Sequence, residues 1–147
     1  MRFKLIEAYL DPEEKFWDYG TKEIKRWIIP DKLPFASEIF DTSTLGGFEV
    51  YSDYLKDKSY TTYMTPREYF ERCAKGFEST FSNQVSQVER DTETLKHLRD
   101  VIFKYHKSFP MAFISDSHGD KQEGRHRMYI AAELFGWDKS FPVLLLP

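Results

Sequence analysis

The strongest constraint on the fold is Phe141-Pro-Val-Leu-Leu-Leu146, six residues in a row without a polar side chain. The run is far shorter than the roughly 20 apolar residues of a membrane span. It also lacks the alternation of a half-exposed strand, so it reads as a strand covered on both faces. Such a strand needs helices over it, and the stretch before it supplies one. Met128, Ala131, Ala132 and Phe135 recur at i, i+3, i+4 and i+7, which predicts a helix over 124–135 that Gly136 closes. Met111–Ser115 reads as a second buried strand, and Asp116-Ser-His-Gly-Asp120 between strand and helix has turn composition. The chain is therefore expected to be α/β, in detail a mixed α+β fold with a small mixed sheet and packed helices.

Upstream, Tyr60–Met64 has strand composition, and Thr65-Pro-Arg-Glu68 has the form of a capping box with proline at the first helical position. Tyr69, Phe70, Cys73 and Phe77 continue that helix, with Gly76 as its stop. Residues 79–90 read as loop or irregular helix. A further helix starts at Asp91/Thr92 and presents Leu95, Leu98, Ile102 and Tyr105. In residues 1–58, Pro12, Pro30 and Pro34 exclude a long helix. A short helix over 13–29 would bury Phe16, Ile24, Trp27 and Ile28, Gly46-Gly47 marks a turn, and Phe48–Tyr51 begins a strand. This divides the chain into an N-terminal extension, 1–58, packed on a domain formed by 59–147.

With 147 residues, 41% of them apolar and 17% aromatic, the chain can bury one core and is not disordered. Its 21 basic and 24 acidic residues leave a net charge of −3, so duplex DNA is expected to bind weakly at best. The lone Cys73 excludes an internal disulfide and a cysteine-based zinc site. Lys4 and Glu7 interrupt the start, where a secretion signal would be apolar. The expectation is a cytoplasmic protein with no membrane partner. No zinc-ligand spacing links Asp116, His118 and His126, so no structural metal is expected.

Glu123-Gly-Arg-His-Arg127 stands where the turn enters the last helix. A helix start exposes unpaired N–H groups and a partial positive charge. Gly124 permits close approach to the backbone, and Arg125 and Arg127 add forked donors, a combination suited to phosphate. His126 can donate to a phosphate oxygen or transfer a proton. Glu123, or Asp120 in its place, can hold a divalent ion that bridges phosphates. Against this stands the plainer possibility that the arginines pair with Glu123, Asp120 or Glu133 on a solvated face.

The strand Met111–Asp116, the step Glu123–Arg127, the helix residues Ala131-Ala-Glu-Leu-Phe-Gly136 and the strand from Phe141, with the strand-to-helix entry Met64–Tyr69, resemble the ParB/sulfiredoxin-like (ParB-like nuclease domain) family of bacteriophage and mobile-element type. The resemblance spans a little over half the chain. It implies nucleotide-phosphate binding at Gly124, Arg125, His126 and Arg127, with His126 and Glu123 as catalytic candidates. A nucleoside triphosphate with Mg2+ is the implied ligand, and nucleotide hydrolysis or phosphoryl transfer the implied activity. Arg125 replaces the cysteine that sulfiredoxin carries before His-Arg, which argues against sulfinic-acid reduction. The alternative is a non-catalytic module that binds a host protein or nucleic acid.

Other features have plain explanations. Lys96, His97, Arg99, Lys104, His106 and Lys107 form a basic stretch that suits a solvated helix face better than a rim for nucleic-acid or nucleotide phosphates. Phe16, Trp17, Trp27, Phe35 and the tyrosines of 51–63 are expected in the core rather than against bases. Cys73 is likewise expected to pack as a small apolar residue.

Overall fold

The computed structural model describes residues 15–17, 23–25, 39–46, 49–105 and 107–147. Strands β1 (Lys15–Trp17) and β2 (Glu23–Lys25) pair antiparallel, with Phe16 opposite Ile24. The helix expected over 13–29 is thus replaced by strands in these two stretches. Aromatic and β-branched residues placed between charged neighbours suit a pleat better than a helix. Trp27, Ile28 and Phe35 lie outside the described residues.

Strand β3 (Phe40–Leu45) runs parallel to β5 (Phe109–Met111), with Phe40 opposite Phe109. Ile39, Phe40 and Leu55 are buried in the main core, so this part of the expected extension helps to build the domain. Gly46 forms the bend after β3, and Gly47 and Phe48 lie outside the described residues. Where a strand was expected from Phe48, Glu49–Lys56 is a 3-10 helix, followed by a second at Lys58–Tyr60.

The main sheet has the order β4-β8-β6-β7. In it β8 (Phe141–Leu146) lies antiparallel to β4 (Thr61–Met64) and parallel to β6 (Phe113–Ser115), which pairs antiparallel with β7 (Gln122–Glu123). Five of the six β8 residues are buried and Leu145 is half-buried, as the unbroken apolar run requires. The single strand expected over 111–115 is split at Ala112. Its first part joins β3 and its second joins β8, so the chain changes sheets there.

Four α-helices cover this framework among the described residues: α1 (Pro66–Gly76), α2 (Phe81–Glu89), α3 (Thr92–Phe103) and α4 (Arg125–Phe135). The capping box of α1 is complete, since Thr65 Oγ1 accepts from the Glu68 amide at 3.0 Å and Glu68 Oε1 accepts from the Thr65 amide at 2.9 Å. Residues 81–89 form a regular helix where loop or irregular helix was expected. Thr80 caps it, its hydroxyl accepting from the Asn83 amide at 3.1 Å. The buried Tyr69 ties α1 to the sheet by donating to the Phe113 carbonyl at 2.8 Å. Cys73 is fully buried, and burial pushes its thiol up to about 12. Phe77 does not continue the buried face of α1. It caps the helix and is 43% exposed.

Arg99 of the basic stretch makes a forked pair with Glu133 of α4 at 2.9 and 2.8 Å, and Lys104 is buried. His106 lies outside the described residues. Among the described residues no helix is long and apolar enough to cross a membrane. Replacing Thr65 by Ala removes one half of the capping box and should lower stability by about 1 kcal/mol, read as a reduced urea midpoint with an unchanged slope.

Candidate functional site at the start of helix α4

The chain leaves β7 at Glu123 and turns into α4 through Gly124, whose φ of 141° only glycine adopts without strain. A side chain there would also run into the Cβ of Ala112 and come within 3.2 Å of the Arg127 guanidinium. Glycine is therefore required by contact with the strand junction at Ala112. The same geometry fixes where the helix begins. The first turn of α4 has no side-chain cap, and the Met128 amide makes the opening helical bond to the Gly124 carbonyl at 2.9 Å.

Three half-buried side chains from this turn reach in different directions. Arg125 Nη1 donates to Oε1 of Gln84 at 2.7 Å and of Gln87 at 3.0 Å. Its guanidinium carbon also lies 5.4 Å from the centre of the Phe77 ring. These neutral partners orient the cation without cancelling its charge. Gln84 is 2% exposed, so a buried amide is committed to holding this one arginine.

His126 places Nε2 3.1 Å from Oδ2 of Asp91, the residue that opens α3. The starts of α3 and α4 thus meet across this contact. Burial lowers the imidazole pKa below its ordinary value of 6.5, and the Asp91 carboxylate partly opposes that shift. Asp91 itself is held below the usual carboxylate range, chiefly by the Thr94 hydroxyl. Near neutral pH the pair therefore comprises a neutral imidazole that donates from Nε2 to a carboxylate, with the lone pair on Nδ1.

Arg127 turns inward. Its Nη2 donates to the carbonyls of Met111 at 3.3 Å and Glu123 at 3.1 Å, and the guanidinium lies so close to Gly46 that a side chain there would meet it. It ties the end of β5 and the end of β7 to α4. Glu123 is half-buried and contributes its main-chain carbonyl to this tie. Among the described residues no group of three or more His, Cys, Asp or Glu side chains stands together to hold a metal. Asp120, the alternative carboxylate, lies in a separate cleft of about 740 Å³ with Arg72, Lys75, Asp116 and His118. There Arg72 pairs with Asp116 at 3.2 Å, so its charge is already balanced.

The structure thus joins Arg125 to Gln84 and Gln87 and His126 to Asp91, three partners with no site signal in the sequence, while Gly124 and Arg127 are engaged with the strand junction instead. Asp91 carried only a helix-start signal. Residues 84 and 87 are three apart, so reading 79–90 as a helix would have placed both amides on one face.

Gly124→Ala should cost at least about 2 kcal/mol in urea unfolding, from positive φ together with overlap at Ala112. In an NMR titration, His126 should have a midpoint below 6.5, and Asp91→Asn should lower it further by removing the group that favours the imidazolium. The linked stability is fully present above pH 6.5. It falls as pH drops from there through the lower folded-state value, because the unfolded chain takes up the proton first.

Comparisons with protein-family models, with curated proteins and with solved structures return no match to the chain.

Proposed function

We propose that the protein binds a phosphate-bearing ligand, a nucleotide, where the starts of α3 and α4 meet, as a ParB/sulfiredoxin-like protein that hydrolyses nucleotides or transfers their phosphoryl groups. The observation that carries this reading is the way Arg125 is held. A half-buried guanidinium is fixed by two amide oxygens and a ring, and it stands beside an uncapped helix start. Arg99, by contrast, is paired with the Glu133 carboxylate, which balances its charge within the protein. The separate 740 Å³ cleft is less suited to an anion, because Asp116 and Asp120 line it alongside Arg72 and Lys75.

In this reading Arg125 and the main-chain amides at the helix start neutralise phosphate charge. Arg127 keeps the helix start in register with the sheet. His126, its tautomer set by Asp91, accepts at Nδ1 the proton of an attacking hydroxyl as its oxygen bonds to phosphorus and the bridging phosphate oxygen leaves. The Gly-Arg-His-Arg step also supports the reading through its resemblance to nucleotide-binding proteins.

The test is calorimetric titration with tripolyphosphate and with ATP, CTP and GTP, each in the presence of magnesium. Saturable binding is expected, and Arg125→Ala should weaken it at least tenfold, about what a charge-assisted contact supplies. Absence of saturable heat with every one of these ligands, in protein whose fold is intact, overturns the proposal.

A further inference from the structure

The phosphate reading leaves open what distinguishes a nucleotide from a bare polyphosphate at this site. The surroundings of Arg125 bear on this. Phe77 follows the last residue of α1, so its backbone is fixed by the helix end, where its amide donates to the Cys73 carbonyl at 2.9 Å. The residue is nonetheless 43% exposed, although the helical period of α1 points to a core position. A single exposed aromatic is ordinary by itself. This one lies beside the guanidinium that marks the phosphate position, 5.4 Å from ring centre to Arg125 Cζ. Gln87 stands at the same point, exposed, with Oε1 engaged by Arg125. Its amide nitrogen is left to donate, and every nucleobase carries an acceptor on its edge.

We infer that Phe77 is a stacking platform for the base of a bound nucleotide, with Gln87 donating to the base edge, so that the base adds affinity beyond what the phosphates supply. This inference rests on the phosphate site proposed above. Stacking on an aromatic face tolerates any base, and a single amide donor does not tell one base from another. The platform therefore predicts similar affinity for purine and pyrimidine nucleotides. Removing the ring takes one of three contacts from Arg125 and leaves its two amide partners, so the base contact is read from the margin between nucleotide and tripolyphosphate rather than from either affinity alone.

The experiment compares tripolyphosphate with ATP and CTP, each with magnesium, in the wild-type chain, Phe77→Ala and Phe77→Leu. The leucine variant keeps an apolar side chain at the α1 end while removing the π face. Both nucleotides are expected to bind the wild type about tenfold or more tighter than tripolyphosphate, as one base–aromatic stack provides. That margin should vanish in both variants, whatever common loss the missing ring contact to Arg125 imposes on all three ligands. Equal affinities in the wild type, or a nucleotide margin over tripolyphosphate that survives both substitutions, overturns the platform and leaves the phosphate site standing. Failure of tripolyphosphate and nucleotides alike overturns both.

Discussion

Everything at the candidate site depends on one close approach, that of Gly124 to Ala112. Ala112 is where the chain passes from the β3–β5 pair to the main sheet, and Gly124 is where it passes from that sheet into α4. The two junctions touch with no space for a side chain on the glycine. Arg127 fastens the same point by bridging the Met111 and Glu123 carbonyls beside Gly46, so the helix start is positioned by backbone contact and by a half-buried guanidinium. Arg125 and His126, one and two residues along, are carried to fixed positions by that anchor.

The electrostatics follow from what each side chain finds there. Arg125 meets amides and a ring, which satisfy its donors and its flat face while its charge persists. A carboxylate at position 84 would have formed an ion pair and removed that charge from use. His126 meets a carboxylate, but its burial outweighs the attraction, so the imidazole stays neutral near pH 7. Two chemically different groups, a permanent cation and a neutral base, thus stand on consecutive residues, and the difference arises from their partners.

Local signals were legible wherever one element could be read from its own residues. The Thr65–Glu68 box, the apolar run at 141–146 and the closing Gly136 all correspond to observed element boundaries. Local reading failed where two signals competed. Residues 13–29 carry apolar spacings compatible with a helix, yet two short aromatic and β-branched stretches there pair as strands. Residues 79–90 are polar on most faces, and a helix with few buried residues looks like loop until its Thr80 cap is weighed. Met111–Ile114 is continuously apolar, and nothing within these residues marks Ala112 as a change of sheet.

The sequence by itself determined a mixed α/β chain, the starts of α1, α3 and α4, and the clustering of glycine, two arginines and a histidine at one helix entry. These follow from backbone preferences and periodicities that span a few residues. Only the tertiary structure decided which arginine faces inward, which imidazole nitrogen meets a carboxylate, and that Gln84, Gln87 and Asp91 belong to the same place. Those partners lie 35 to 41 residues from His126 and Arg125. Contacts of that range are set by how helices cross a sheet, which no local pattern records.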